Sequence, residues 1–290
     1  MLKRLSGAFP DMGTAIDACT DGLRLTARNP VYVGVTFVVG IVLLVLSLLG
    51  ALIPLLGPLV VDVLVMPVLV AGLLGMADAA RRGGASLGDF SSAVSAYYKR
   101  MIAAFALLYG GAIAVGIVLV VVAVFFGLFA VGLGQVAGSG AGLGPALAGM
   151  GVVMTGLFVV VGLLLLVASI VLQFVGPAIV VGEEDAFSSF RASWRLFAGA
   201  PLSVVGYTLL VALVGVVGLL VPLVVGAVGY SLGGRVPAFV LAGLASLPVT
   251  PFVYGFVFAA QVSYYASRTG DPTTGGPDDG TAAGVAPTSD

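Results

Sequence analysis

The segment GEEDAFSSFRASWRLFAGAP, residues 182–201, separates two long apolar segments and contains the only tryptophan of the chain. Its aromatic side chains Phe187, Phe190, Trp194 and Phe197 recur every three or four residues, which places them on one narrow face of a helix. An amphipathic helix between two apolar segments is typical of an element that lies on a membrane surface. The segment is therefore a candidate scaffold at the membrane interface.

Charges and helix-breaking residues mark both ends of this helix. The three acids at 183–185 open its first turn, and Arg191 and Arg195 lie toward its end, so that both groups complement the helix dipole. Gly199 offers a helix stop, and Pro201 occupies the first position of the next helix. The residues expected to contact the membrane interface are Phe187, Phe190, Arg191, Trp194 and Arg195.

The composition of the 290-residue chain fits a lipid environment. The mean hydropathy is +1.21, 60% of the residues are hydrophobic and 9% are charged, whereas roughly 25% of residues are charged in soluble domains. Several segments exceed the ~20 apolar residues that a helix needs to cross the hydrocarbon core. The sequence therefore predicts an all-α, multi-pass integral membrane protein.

Residue types that usually carry chemistry are scarce. The chain has no histidine and a single cysteine, Cys19, so it lacks the commonest general base and cannot form an internal disulfide. Phosphate-binding, dinucleotide, hydrolase and metalloprotease motifs are absent from the sequence, and no basic stripe suits nucleic acid. We expect no enzyme activity, catalytic residue, cofactor or metal site. The sequence does not identify a protein partner or an oligomeric state.

Six apolar spans can be drawn, at about residues 31–56, 59–77, 102–132, 148–181, 202–230 and 237–266. They predict one membrane domain, residues 1–266, built as three transmembrane hairpins that are each preceded by a cytoplasmic amphipathic helix. The glycine-rich segment 135–149 is the expected loop of the middle hairpin. Residues 267–290 contain three prolines, five glycines, four aspartates and no aromatic residue, and predict a disordered acidic tail.

Lysines and arginines are distributed unevenly along this layout. Four lie in residues 1–30, four in 78–101, two in 182–200 and one near the C-terminus, whereas Arg235 is alone on the opposite side. Cytoplasmic loops carry an excess of basic residues. The distribution therefore predicts a plasma-membrane protein with both termini in the cytoplasm.

The amphipathic helix has two weaker counterparts in the sequence. A shift of 171 residues aligns 15–33 with 186–204 without a gap and gives six identities in nineteen positions. A shift of 97 aligns 89–100 with 186–197, shares a Phe-Ser-Ser triplet and places Tyr97 opposite Trp194. We interpret the chain as an internal repeat of three units, at about residues 1–77, 78–181 and 182–266.

The order of PAIV (177–180), the acidic pair 183–184, SWRL (193–196) and the tyrosine pair 264–265 resembles a broad set of uncharacterised prokaryotic membrane families. These include the glycerophosphoryl diester phosphodiesterase membrane-domain-like group and haloarchaeal families of unknown function. The resemblance implies a six-span architecture. Ten arginines against two lysines, a body rich in glycine, alanine and valine, and the acidic tail indicate a GC-rich, halophilic archaeal source. The resemblance implies no substrate, because catalysis in the phosphodiesterase members belongs to a separate soluble barrel domain.

Few polar residues inside the membrane domain are candidates for a site. Asp62 falls within a predicted span and is a candidate for proton coupling or cation binding, with an interfacial or helix-capping role as the alternative. The acids at 183–185 could form a cation site or cap the helix. Gly218, Pro222 and Gly226 share one helix face and predict either close packing of a neighbouring helix or an interruption at a transport site. Gln173 is expected to form an interhelical hydrogen bond or to mark a span end.

Two functions from different classes fit these features. One is a non-enzymatic membrane-organising or regulatory protein, whose interfacial helices contact lipids of the cytoplasmic leaflet. The other is a small transporter or permease for an apolar or lipid-like substrate. It predicts a cavity that reaches into the membrane and is lined by Tyr109, Tyr207, Thr250 or Tyr254. The scarcity of buried charge favours the first function, for which the lipid bilayer is the partner.

Overall fold

The computed structural model describes residues 10–54, 56–136 and 144–270, and every regular element within these ranges is helical. The helices are α1 (Pro10–Arg28), α2 (Pro30–Gly50), α3 (Leu56–Arg81), α4 (Leu87–Val136), α5 (Gly144–Leu172), α6 (Val175–Val180), α7 (Ala186–Gly199), α8 (Pro201–Gly233) and α9 (Arg235–Thr269). By length and composition, α2, α3, α4, α5 together with α6, α8 and α9 can each cross a membrane. The prediction of an all-helical chain with six such spans is confirmed.

Prolines determine where several helices begin or end. α1 and α7 are each followed by a single non-helical residue, Asn29 or Ala200, and then by a proline that opens the next helix. Proline lacks a backbone N–H but suits the first position of a helix, so the chain changes direction at these points. Pro177 cannot donate to the carbonyl of residue 173, and the span formed by α5 and α6 is interrupted at residues 173–174.

The second predicted amphipathic helix, residues 89–100, is not a separate element. α4 runs without a break from Leu87 to Val136 and includes this segment. Residues 100–101 contain no proline, so the helical hydrogen bonding continues from the polar segment into the apolar one. Of the three predicted surface helices, only α1 and α7 are distinct helices.

The other predicted boundaries differ by a few residues. α9 continues to Thr269, so the first residues of the predicted tail 267–290 are helical, and residues 271–290 lie outside the described ranges. The predicted loop 135–149 is shorter, because α4 ends at Val136 and α5 begins at Gly144. Residues 137–143 of that loop are outside the described part of the chain.

The tightly packed part of the bundle lies at one end. We call it the arginine-rich end, because α1, α3 and α9 finish there with Arg28, Arg81 and Arg268 in their last turns. Large and completely buried side chains in this part include Tyr32, Met101, Phe174, Tyr207 and Tyr264. The opposite half of the bundle, the far end, exposes many leucine and valine side chains. Lipid tails are as apolar as leucine, so these side chains need no protein partner in a bilayer.

Small residues let α8 and α9 approach closely. A Cβ added to Gly218 would lie 2.6 Å from a methyl group of Val253, and one added to Gly226 would lie 3.1 Å from the Cβ of Ala242. Nearer the far end, a Cβ on Gly229 would lie 2.8 Å from the Cα of Ala238. The predicted close packing at Gly218 and Gly226 is confirmed.

Specific hydrogen bonds join the spans in the described part of the chain. The buried hydroxyl of Tyr32 on α2 donates to the backbone carbonyl of Gly255 on α9 at 2.9 Å. The side-chain amide of Gln173 donates to the hydroxyl of Thr208 on α8 at 2.8 Å. Gln173 is therefore an interhelical hydrogen bonder, which was one of its two predicted roles.

α1 packs against the arginine-rich ends of α8 and α9. Its buried face carries Ala15, Ala18 and Gly22. Gly22 leaves no room for a side chain, because an added Cβ would lie 2.7 Å from the backbone nitrogen of Ala260. Small residues thus place α1 directly on the end of the bundle.

Candidate functional site

α7 begins with a reciprocal capping arrangement. The Asp185 carboxylate accepts hydrogen bonds from the backbone N–H groups of Phe187 and Ser188, at 2.9 and 2.8 Å. The backbone N–H of Asp185 in turn donates to the Ser188 hydroxyl at 3.0 Å. Hydrogen bonds from Ser188 and Phe187 hold the pKa of Asp185 below its ordinary value. Asp185 is therefore the N-cap of α7, as the capping interpretation of the acidic triplet expects.

The two acids before Asp185 connect α7 to neighbouring helices. Glu183 has a left-handed backbone, with φ of 53°, and its carbonyl accepts a hydrogen bond from the Arg100 guanidinium at 2.8 Å. The backbone N–H of Glu184 donates to the carbonyl of Ala178 at 3.1 Å. Across the described ranges, no three acidic or cysteine side chains converge as metal ligands.

α7 packs on the bundle through small residues. Ala186, Ser189 and Ser193 are buried, and the Ser193 hydroxyl donates to the carbonyl of Val171 on α5. On the opposite face, Phe187 is 72% exposed and Trp194 is 56% exposed. This division leaves two large aromatic side chains on the outer surface of the protein.

The remaining interface candidates occupy different environments. Arg191 and Arg195 are exposed and lie beside the outward aromatic residues on the helix surface. Phe190 is partly buried and packs against the core at the arginine-rich end. Arg195 lines a polar cleft with Glu184 and Tyr265, whereas Arg191 does not. The five predicted residues therefore comprise four on the exposed side and one, Phe190, that also contacts the bundle.

Asp62 lies in a π-helical segment of α3, Val61–Val65, and lines a cavity of about 300 Å³ between α2, α3 and α9. The polar side chains along this cavity belong to Thr36, Ser47, Asp62, Thr250 and Tyr254. From Thr36 to Ser47 the cavity follows α2 for about 16 Å, at 1.5 Å per residue. Single π-helical turns within a helix are frequent at functional sites.

The four residues predicted to line a transport cavity are divided between three places. Thr250 and Tyr254 line the cavity beside Asp62. Tyr109 lies on α4, close to Asp62. Tyr207 is completely buried at the arginine-rich end. Three of the four predicted residues thus lie near Asp62, and two of these three, Thr250 and Tyr254, line the cavity.

A second and larger opening lies between α4, α5 and α7. Its volume is about 670 Å³, and we call it the apolar groove. The residues that line it include Gly111 and Ala112 of α4, Ala168 of α5, Gln173 of the turn after α5, and Phe187 and Phe190 of α7. The sequence does not predict this groove, because it depends on the gap between two uniformly apolar helices.

Two polar features at the arginine-rich end were also not predicted. Asp78 is buried and forms ion pairs with Arg81, at 3.2 Å, and with Arg82. The spacing of one acid followed by arginines three and four residues later is the sequence signal that could have identified this cluster. The two arginines balance the negative charge of the buried Asp78 carboxylate at the end of α3.

The second feature is a cluster of Phe174, Tyr207 and Tyr264, whose ring centroids lie 4.8 to 5.5 Å apart. The Tyr264 hydroxyl donates to the Ser203 hydroxyl at 2.9 Å. The Tyr207 hydroxyl is buried and has no hydrogen-bond partner among the described residues. These rings join α8, α9 and the α5–α6 turn at the arginine-rich end.

A family profile described as a domain of unknown function, DUF7847, matches residues 14–268. The match extends from α1 to α9 and includes all six candidate spans. The chain has no significant similarity to a curated protein or to a solved structure. The expected link to the glycerophosphoryl diester phosphodiesterase membrane-domain-like group and the expected archaeal source stay predictions from the sequence.

Proposed function

The chain belongs to DUF7847, a family of unknown function, and we propose that it is a non-enzymatic integral membrane protein that organises lipids of the cytoplasmic leaflet. In this proposal α1 and α7 are interfacial helices attached to a six-span bundle. The bilayer is the partner. The proposal rests on the surface of α7 and not on any catalytic arrangement.

We place the arginine-rich end in the cytoplasm. The described lysine and arginine residues belong to segments at this end, with the exception of Arg235 at the start of α9. An excess of basic residues in cytoplasmic segments is the strongest determinant of membrane orientation. Both termini then lie on the cytoplasmic side.

The observation that carries the proposal is the outward face of α7. Phe187 and Trp194 are exposed beside Arg191 and Arg195, on a helix whose opposite face is fixed to the bundle. Aromatic rings placed next to arginines suit the boundary between acyl chains and anionic headgroups. Because the helix is already docked and capped, little further ordering opposes its contact with lipid.

The three-unit architecture belongs to the same proposal and is supported by the similarity between α1 and α7. Both helices end one residue before a proline that opens a span. Alignment at a shift of 171 pairs buried Ala15 with buried Ala186 and buried Gly22 with buried Ser193. The middle unit keeps the same order of a polar helical segment followed by a span, although α4 joins them without a break.

The test is hydrogen exchange of α7 in nanodiscs that contain anionic lipid. Replacing both Phe187 and Trp194 by serine should lower the protection of residues 186–199 by roughly tenfold or more, because two aromatic side chains that contact the lipid are lost. Leu52→Ser is a matched control, since it removes a side chain that is 76% exposed at the far end. Unchanged protection of α7 in the double variant would contradict the proposal.

A second candidate function is a carrier for an apolar or lipid-like substrate, favoured by the cavity that contains Asp62, Thr250 and Tyr254. It predicts that vesicles containing the protein move a fluorescent phospholipid between leaflets faster than protein-free vesicles do. The Asp62→Asn variant should slow this movement, because it removes the ionisable group in the cavity. Equal rates with and without protein would exclude the candidate.

A further inference from the structure

We infer that the apolar groove between α4, α5 and α7 is a binding site for one anionic glycerophospholipid, with an acyl chain in the groove and the phosphate on Arg191. The inference rests on the proposed function, since it requires α7 to lie at the membrane interface. It goes further by assigning a defined lipid site to that helix. The occupant is a lipid of the leaflet that faces the arginine-rich end.

The chemistry of the groove suits a hydrocarbon chain. Its volume of about 670 Å³ is within the range of about 300–1,000 Å³ that is usual for small-molecule sites. Its polar residues Ser169 and Gln173 already donate inside the protein. The Ser169 hydroxyl donates to the carbonyl of Leu166 at 2.8 Å, and the Gln173 amide donates to the carbonyl of Ile170 and to Thr208. A polar ligand or water would find few free hydrogen-bond donors, whereas an acyl chain requires none.

The position of the groove selects a membrane lipid. The α4 and α5 residues that line it belong to candidate spans, so the groove lies at membrane depth. α7 borders the groove at the arginine-rich end, where Phe187 and Phe190 form part of its wall. A lipid of the adjacent leaflet therefore has its headgroup beside α7 when its chain lies in the groove.

Charge complementarity identifies the headgroup as anionic. Arg191 follows Phe190 directly and lies four residues after Phe187, so its side chain is adjacent to the groove wall on the helix surface. A guanidinium binds phosphate through paired, charge-assisted hydrogen bonds. Neither arginine lines the groove itself, and Arg195 lies one helical turn farther from Phe187, in the cleft with Glu184. It therefore offers a matched comparison on the same helix.

Trp194 provides a built-in probe, because it is the only tryptophan and lies one helical turn beyond Phe190. The full chain is reconstituted in phosphatidylcholine vesicles with increasing amounts of phosphatidylglycerol that carries brominated acyl chains. We expect quenching of Trp194 fluorescence to saturate at a low mole fraction of this anionic lipid. Brominated phosphatidylcholine should quench in proportion to its mole fraction, as a bulk lipid does.

Neighbouring glycines allow a matched test of the groove. A side chain added at Gly111, in the groove, or at Gly110, outside it, meets no atom within 4 Å of its Cβ. Gly111→Leu should raise the mole fraction of lipid needed for half-maximal quenching by about tenfold, because the added side chain removes a few methylene contacts between the acyl chain and the groove. Gly110→Leu should leave this mole fraction unchanged. Arg191→Gln should raise it by about fivefold, the effect of one charge-assisted contact, and Arg195→Gln should leave it unchanged.

The outcomes separate the site from the proposed function. Equal effects of the two glycine variants, or of the two arginine variants, would overturn the lipid site while α7 remains at the interface. A complete absence of quenching by either lipid would place Trp194 outside the membrane and would overturn the proposed function as well. If Gly111→Leu instead dissociates a dimer in sedimentation and leaves quenching unchanged, the groove binds a second copy and the lipid assignment is wrong.

Discussion

Replacing Tyr32 by phenylalanine isolates one interhelical hydrogen bond. The Tyr32 side chain is completely buried, and its hydroxyl donates to the carbonyl of Gly255 at 2.9 Å. Interhelical hydrogen bonds in membranes contribute about 0.6 kcal/mol on average and about 1.7 kcal/mol at most. We expect Tyr32→Phe to lower the free energy of unfolding by about 1 kcal/mol, or roughly fivefold in the folded-to-unfolded ratio.

The matched control is Tyr207→Phe, which removes an equally buried hydroxyl that has no partner among the described residues. Its removal should leave the free energy of unfolding unchanged or raise it by up to about 1 kcal/mol, because an unpaired buried hydroxyl is unfavourable. The assay is unfolding of the detergent-solubilised full chain by sodium dodecyl sulfate, followed by circular dichroism. If Tyr207→Phe destabilises the protein as much as Tyr32→Phe, the Tyr207 hydroxyl has a partner and the reasoning is refuted.

Other predictions concern α7, the α8–α9 contact and the single thiol. Asp185→Ala should speed hydrogen exchange in the first turn of α7 by roughly fivefold, through loss of the N-cap; unchanged exchange would contradict that role. Hydrogen bonds lower the pKa of Asp185. Its capping of α7 should therefore be complete above the ordinary aspartate pKa of about 3.9 and should be lost as the pH falls through the lowered pKa. NMR of α7 can follow this loss. Gly229→Ala should destabilise the protein by about 1–3 kcal/mol in the same dodecyl sulfate titration, because the added Cβ meets backbone atoms of α9. The control Gly215→Ala should be neutral, since a Cβ added there meets no atom within 4 Å. Burial raises the pKa of the Cys19 thiol to about 11, so alkylation at pH 8 should be roughly a hundredfold slower than for a free cysteine; equal rates would show an exposed thiolate.

The spans were predictable because the bilayer imposes a simple requirement of length and apolarity. The helix breaks at residues 29 and 200 were predictable for an equally local reason, since each precedes a proline. The small-residue face at Gly218 and Gly226 also correctly predicted a close helix contact. These features depend on residues that are near each other in the chain.

The remaining features depend on how helices meet, which an apolar sequence does not specify. A helix that is apolar on all sides gives no periodic signal for the face that contacts its neighbours. The sequence therefore predicted neither the concentration of packing at the arginine-rich end nor the apolar groove. Asp62 was identified by its charge, but its place in a π-helical segment requires the backbone geometry.

Within α7, the sequence identified the amphipathic face but did not divide it between lipid and bundle. The interval of three residues between Phe187 and Phe190 places both on one side of the helix. The structure exposes Phe187 and packs Phe190 partly against the core. The division is set by the small residues Ser189 and Ser193, whose burial rotates the helix toward the bundle.

The length of α4 gives the molecule a sensitivity to bilayer thickness. Its apolar part after the polar segment, residues 101–136, extends about 54 Å at 1.5 Å per residue, nearly twice the hydrocarbon core of about 30 Å. Tilting absorbs only part of this mismatch, because spans rarely tilt beyond about 40°. The packed arginine-rich end holds one part of the bundle together, so adjustment falls on the loosely packed far end. Thicker membrane regions accommodate that end with less distortion, and the protein is expected to accumulate in them.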